Sequence, residues 1–400
     1  MENVLVVIGS NTSVLERAKD LGFYIVCVQE KNKIKEKDIL LSDVIFGLDY
    51  TNISLLEETL VSFSKQYSIK SVITFSEKAL IPTAYVAEKL GLTLNSLSTT
   101  ELLKDKFKMR KYLSEKNFSS IKARIINNAT DIIEFTENFS FPTIVKPKNG
   151  SASENIFKIT DKKDFERIMK NNEIRLNSML IEEYLVGEEY SVEALSFNGN
   201  HQVLGITDKV VDHNFVEHAH SVPTNLSKND QKIIEDYVKD FLDVVGLNFG
   251  PSHTEIILTE EGPKIIESHN RPGGGGIVHL TKLVSGIDVV KATLEYIKKE
   301  TFTINSEVFG GAAVKFLTLD PGEIVSMKTD TENNKNVYRS EIFVQKGDLI
   351  KDLESSHDYS GYVICTGSNP NEAILKCTNY INELEIKIKD KKGEVKRWGI

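Results

Sequence analysis

The chain is short of cysteine, has no surplus of positive charge and contains no long apolar run. Its 400 residues include three cysteines, Cys27, Cys365 and Cys377, scattered without the paired spacing of a metal site. That excludes a disulfide framework or a zinc ribbon, fits a reducing cytoplasm, and leaves the three as core residues. No apolar stretch approaches the roughly 18 residues needed to span a bilayer, so no membrane partner is expected. A formal net charge of −9 argues against general nucleic-acid binding, which needs a basic face. The fingerprint G-x-G-x-x-G is missing after the first apolar run, where Gly9 and Asn11 stand, so a dehydrogenase is the weakest reading. The opening residues 1–14 have neither a basic n-region nor a small-residue cleavage site and read as a first strand, not a leader. No internal repeat or low-complexity tract is present.

With 40% hydrophobic and 27% charged residues, the chain has an ordinary globular composition and length enough for two or three domains. Residues 1–95 alternate strand and helix patterns: Val4–Ile8, a helix near Val14–Leu21, Tyr24–Val28, a helix near Leu55–Tyr67, then Ser71–Phe75. That rhythm predicts a parallel sheet with crossover helices. A Lys-rich helix over Leu102–Lys116 follows, then strands near Phe141–Lys146, Met179–Glu182 and Tyr190–Phe197, the last ending in an Asn198-Gly199-Asn200 turn. This middle part reads as a compact α+β lid. Helices near Asp230–Val245 and Asp288–Lys299 bracket a further hairpin, and residues after Lys299 carry short strands and a mixed α+β ending.

The hairpin carries the chemistry. Two strand-like runs, Glu255–Thr259 and Pro263–Ser268, flank a Glu260-Glu261-Gly262 turn, and the midpoint of 255 and 267 is residue 261, in that turn. Glu255 and Glu267 are therefore expected opposite one another, with Cβ atoms about 4.5–5.5 Å apart and their like charges in need of a cation. Hard oxygen ligands of this kind suit Mg²⁺ bound with substrate phosphates. Arg271 and the run Pro272-Gly273-Gly274-Gly275-Gly276 follow, adding a fixed cation and backbone that a ligand can approach closely. A solvated hairpin is the bland alternative, and the arginine and glycines weigh against it.

Lys146 ends the apolar run Phe141-Pro-Thr-Ile-Val-Lys146 beside the small-residue loop Asn149-Gly150-Ser151-Ala152-Ser153, which could present amides and hydroxyls to phosphate oxygens. Lys106, in Lys104-Asp105-Lys106-Phe107, would alone pass for a solvated helix charge. In sequence order these lysines, the Glu182-Glu183-Tyr184-Leu185-x-Gly-x-Glu189 stretch and Glu255…Glu267-x-x-x-Arg271 resemble the ATP-grasp ligases over residues 70–290. The resemblance implies an ATP-grasp fold of mixed α/β and α+β class. Its parts are an N-terminal Rossmann-like domain over 1–95, an ATP-grasp domain over 96–300 with a lid at about 115–190, and a small α+β domain over 301–400.

It also implies roles. Lys106, Lys146 and the Ser151 and Ser153 loop would contact phosphates, and the backbone of Glu183 and Leu185, with Glu182 alongside, would clamp the adenine. Glu189 would bind the ribose hydroxyls, and Glu255 and Glu267 would hold Mg²⁺, with Mn²⁺ as a substitute. Many relatives carry Asn two positions after the second metal glutamate. Here His269 stands there, a poor match for Mg²⁺; either Asn270 compensates, or His269 serves the substrate or packs.

Within the superfamily the chain looks most like the L-amino-acid ligases. His253-Thr-Glu255, Arg271-Pro272-Gly-Gly, Glu217-x-x-His220 and Glu77 resemble elements of that branch. Glu77, Glu217, His220 and Arg271 would meet substrate, with Arg271 also stabilising the tetrahedral intermediate. The implied reaction joins two amino acids through an acyl phosphate, releasing ADP and phosphate. The alternatives are an ATP-grasp ligase acting on a non-amino-acid carboxylate in nucleotide or natural-product biosynthesis, and a non-catalytic nucleotide-binding regulator. A homodimer is compatible with the resemblance.

Overall fold

The computed structural model describes all residues except 1–2, 10, 93, 140, 151–154, 171–178, 213–214, 302–309, 330–334, 354 and 399–400. Val4–Ile8 is buried at all five positions, as a strand covered by helices on both faces must be. It lies at the centre of a parallel sheet in the order Val44–Gly47, Tyr24–Gln29, Val4–Ile8, Ile69–Ile73. Helices Thr12–Asp20 and Ile53–Ser64 start at Asn11 and Asn52, whose side chains accept backbone N–H groups of the first turn. Sequence periodicity did not reveal Val44–Gly47, a four-residue, half-buried strand with helix Glu36–Leu41 before it.

One face of this sheet packs on Leu56, Leu60 and Val86, the other on Leu15, Leu294 and Ile297. The last two belong to helix Val289–Lys299, which thereby fastens the sheet to the rest of the chain. Arg17 grips Asp288, the cap of that helix, with Nε and Nη2 at 2.9 and 2.8 Å. Asn95 accepts the N–H groups of Asn248 and Phe249 and donates to the Phe249 carbonyl.

The largest sheet is antiparallel and has eight strands, in the order Gly262–His269, Phe249–Thr259, Glu188–Phe197, Asn200–Val211, Glu217–Val222, Gly311–Leu317, Gly361–Gly367, Val337–Ile342. Asn198 and Gly199 both have positive φ, 53° and 74°, as a two-residue hairpin turn between the third and fourth strands requires. Helix Lys228–Val244 buries Ile234, Val238, Phe241 and Leu242 against Ile256 and Ile265 of the hairpin. Three of the eight strands come from beyond residue 300, so the central sheet runs on into the C-terminal segment. A second antiparallel sheet, Ala123–Ile126, Met179–Glu183, Thr143–Pro147, Phe157–Ile159, faces the first across a cleft. A third, of four strands, lies among residues 322–397. Among the described residues no helix is long and apolar enough to cross a membrane.

Candidate active site

The paired carboxylates stand where the hairpin register puts them. Strands Phe249–Thr259 and Gly262–His269 pair His253 with His269, Thr254 with Ser268 and Glu255 with Glu267. The register then slips, and Ile256 faces Ile265. The extra residue is Ile266, and the bulge turns both Ile266 and Glu267 into the cleft while Ile265 stays in the core. Burial raises the Glu255 carboxyl, but Lys209 outweighs it and holds the group at about 2. Burial likewise opposes ionisation of Glu267, and Lys106 and His269 drive its carboxyl well below the usual range. Both glutamates are anionic at neutral pH.

Lys106 is not a solvated helix charge. The expected helix over Leu102–Lys116 is broken at Asp105, whose extended backbone ends Leu97–Lys104 and whose side chain caps Lys106–Glu115 by accepting the N–H groups of Phe107 and Lys108. The break turns Lys106 inward to 7% exposure. Its ammonium pairs with Glu267 at 2.5 Å and donates to the Gly150 carbonyl at 2.9 Å. Lys146 is likewise buried and pairs with Glu182. Burial, with Arg110 and Lys106 nearby, pushes the Lys146 ammonium down, while Arg110 and Lys146 keep Glu182 ionised against its own burial. Arg110 ties three segments together, donating to Glu182 at 3.1 Å and to the Ile266 carbonyl at 2.7 Å from its own helix.

Lys209 was not foreseen. Its ammonium lies in a nest of Glu189, Glu217 and Glu255, at 2.5, 2.6 and 2.8 Å. Burial opposes its charge, and the three carboxylates override that and raise it well above the ordinary value. Glu189 carries the opposite mark: desolvation, with Glu255 and Glu217 nearby, raises it in spite of Lys209. A lysine in a strand, between Asp208 and Val210, gives no local signal, and its partners come from three other strand segments.

Both histidines of the hairpin serve carboxylates. His269 reaches Glu77 with Nδ1 and Glu267 with Nε2, each at 3.1 Å, and burial, which would lower it, is outweighed by these two acids. Asn270 donates Nδ2 to the Thr100 hydroxyl at 3.2 Å, while His269 bridges Glu267 and Glu77. His253 pairs with buried Glu193 through Nδ1, and its Nε2 lies 3.3 Å from Glu255. The second oxygen of Glu193 accepts the Gly273 N–H at 3.1 Å.

Arg271 lines the cleft and donates Nε to Glu77 at 2.5 Å. Glu77 starts a short 3₁₀ turn, also pairs with Lys104, and is not among the cleft-lining residues. His269, Arg271 and Lys104 hold it below the usual carboxylate range despite its burial. Glu217 and His220 lie 3.0 Å apart, and His220 Nδ1 meets the Gly275 carbonyl at 3.1 Å. Phe316 touches the His220 ring edge-on and stacks on Tyr359, whose hydroxyl donates to the Glu217 carbonyl at 2.5 Å. Tyr359 and Ser356 thus bring the C-terminal segment to the cleft, a contribution that no motif announced.

The cleft encloses about 290 Å³. Ile144, Leu185, Ile257 and Ile266 give its lining apolar surface, and Lys106, Lys146, Glu255 and Glu267 supply charge. Of the residues singled out from sequence, Lys106, Lys146, Glu182, Glu183, Leu185, Glu189, Glu217, His220, Glu255, Glu267 and Arg271 line it, and Glu77 adjoins it through Arg271. Ser151 and Ser153 lie outside the described residues. The opposed, proton-free oxygens of Glu255 and Glu267 fit a hard divalent cation. Glu189, Glu217 and Glu255 also converge, with ligand oxygens within 4.8 Å of one another, but Lys209 already supplies their cation.

Known proteins match the chain in sections. Residues 15–93 match an ATP-grasp N-terminal domain, 139–279 an ATP-grasp domain and 315–389 the L-amino acid ligase C-terminal domain 2. The alanine–anticapsin ligase of Bacillus subtilis is 26% identical over 263 residues, 60% of this chain and 56% of that one, so the match spans little more than half of that relative. An L-arginine-specific L-amino acid ligase of Bacillus subtilis is 23% identical across 84% of this chain and 86% of its own length. The crystal structure of an L-amino acid ligase from Bacillus licheniformis superposes with a TM-score of 0.82 at 23% identity, covering 97% of this chain and 99% of that one. The biotin carboxylase domain of Hydrogenobacter thermophilus 2-oxoglutarate carboxylase, solved with MgADP, superposes at 0.71 with 16% identity, covering 98% and 91%. Three domain matches in chain order, and one fold shared across nearly its whole length, give the chain ATP-grasp N-terminal and central domains followed by a C-terminal domain similar to that of the L-amino acid ligases.

Proposed function

We propose that the protein is an ATP-dependent carboxylate–amine ligase that joins two L-amino acids and releases ADP and phosphate. The observation that carries this reading is one cleft in which two ionised glutamates face Lys106, Lys209, His253 and His269, with Arg271 and the Glu217–His220 pair alongside. ATP would lie with its adenine among Ile144, Leu185, Ile257 and Ile266, against the backbone of Glu183 and Leu185. Glu182 would stand alongside, and Glu189 would face the ribose. Lys106 and Lys146 would contact the phosphates, as would Ser151 and Ser153. Glu255 and Glu267 would hold Mg²⁺, whose chemistry when bound is to neutralise phosphate charge.

The carboxylate of the first amino acid attacks the γ-phosphorus in line, the β–γ oxygen bond breaks, and ADP leaves. The second amine then attacks the acyl phosphate and phosphate departs. Arg271 stabilises the negative charge that develops on the carbonyl oxygen, the kind of interaction whose removal typically costs about 10²–10³ in rate. Closure of the lid sheet would keep water from the acyl phosphate. Glu217 and His220 would orient an amino acid, and Glu77, through Arg271, would border the same pocket.

The test is ADP and phosphate release from Mg-ATP across single and paired L-amino acids, with mass spectrometry of the products. Release that needs a pair, accompanied by the dipeptide mass, is expected. ATP binding with every pair silent would remove the amino-acid assignment and move the screen to other carboxylates.

A further inference from the structure

We propose that Glu193 is a positioning residue that sets the place of the arginine-bearing glycine loop through one carboxylate shared between His253 and Gly273. Glu193 lies in strand Glu188–Phe197, opposite His253 in the register, and is 4% exposed. Oε1 meets His253 Nδ1, and Oε2 accepts the Gly273 N–H. Each oxygen therefore serves a different element: the metal-site strand on one side, the loop two residues after Arg271 on the other. Gly273 leaves no slack. A Cβ there would stand 2.8 Å from His253 Nδ1 and 3.0 and 3.1 Å from the two Glu193 oxygens. Arg271 is bonded back to the same loop through the Pro272 carbonyl at 2.8 Å. Among the described residues the ion-pair partner of this buried carboxylate is His253, and burying such a pair is weak evidence for stability alone. The carboxylate's two directed acceptors are what an apolar residue of equal size could not supply.

The inference rests on the ligase reading, and two variants test it. Glu193→Gln keeps the shape but offers a single carbonyl oxygen to two donors, whereas Gly273→Ala forces the loop away with Glu193 intact. Hydrogen exchange of the peptide spanning residues 268–277 is the readout independent of turnover, and both variants should raise it while leaving the overall unfolding midpoint near wild type. In the assay, kcat should fall by about 10–100-fold, since misplacement by about 1 Å is worth up to about 10². KM for ATP should stay within about threefold, and phosphate released per product should rise above one as the misaligned acyl phosphate meets water. Combining the two changes should cost little more than either alone, because they break one linkage.

Unchanged exchange in either folded variant, or raised exchange with wild-type kcat and coupling, overturns the proposal. If the wild-type protein yields no amide product from any pair, the ligase reading fails separately, and loop exchange together with ATP hydrolysis still decides the role of Glu193. If Glu193→Gln does not fold, Gly273→Ala alone carries the test.

Discussion

Replacing Arg110 by Met should loosen the whole cleft. The guanidinium is 3% exposed and makes two directed contacts, to Glu182 on strand Met179–Glu183 and to the Ile266 carbonyl at the hairpin bulge. Removing one partner of a buried ion pair typically destabilises by about 3–5 kcal/mol, because the remaining charge stays desolvated. Two details place this case at the low end, about 3 kcal/mol. Lys146 still pairs with Glu182 after the change, and Arg110 Nη1 has no hydrogen-bond partner among the described residues, so the native arrangement is itself incompletely satisfied. Arg110→Lys keeps the charge but not the fork, and should lose the equivalent of one hydrogen bond to a charged group, about 1.5 kcal/mol. Urea unfolding of the three proteins, with and without Mg-ATP, gives both numbers and shows whether the nucleotide restores the loss. An Arg110→Met protein within about 1 kcal/mol of wild type would refute the claim that this residue joins its helix to strand Met179–Glu183 and the hairpin.

Other expectations follow from single residues. Glu267→Gln and Arg271→Ala should each fold normally and lower ligation at least about a hundredfold, read as initial rate and circular dichroism on the same preparations. Gly187→Ala would place a Cβ 2.2 Å from the Leu258 carbonyl oxygen. It should therefore cost about 1–3 kcal/mol and weaken ATP binding measured by calorimetry. Asp288 has its carboxyl held at about 2 by Arg17 and Lys282 against partial burial. Its contribution is complete above the unfolded value of 3.8 and fades as pH falls through 2. After screening, Asp288→Asn should lose about 1 kcal/mol at pH 7 while keeping the helix cap, with the deficit shrinking as pH falls toward and below 2; an undiminished deficit there would contradict the ion-pair account.

Patterns with a short repeat were legible. Val4–Ile8 reads directly as a buried strand, and a constant residue-number sum places Glu255 against Glu267. The slip at Ile256 was not legible, because a bulge leaves no mark on composition, yet it is what lets Ile266 and Glu267 share the cleft face. Lys106 misleads locally: surrounded by charges, it becomes a buried cation when Asp105 stops one helix and starts the next. Arg110, Glu193 and Lys209 were out of reach for a different reason. Each is a charged residue whose partners lie 8 to 156 positions away on other elements, so no motif short enough to read singles out the pairing. Tyr359 reaches Glu217 across a separation of 142, beyond any motif.

The central sheet has a practical consequence for anyone trimming the gene. A cut after residue 300 would strip Gly311–Leu317 from Glu217–Val222, a pairing that runs through Ala219, His220, Ser221 and Val222. The shortened protein would then present a raw sheet margin whose own apolar residue, Val222, had been fully covered. Such an edge recruits strands from other molecules. The fragment should therefore clump in solution, and its His220 would be held from one side alone.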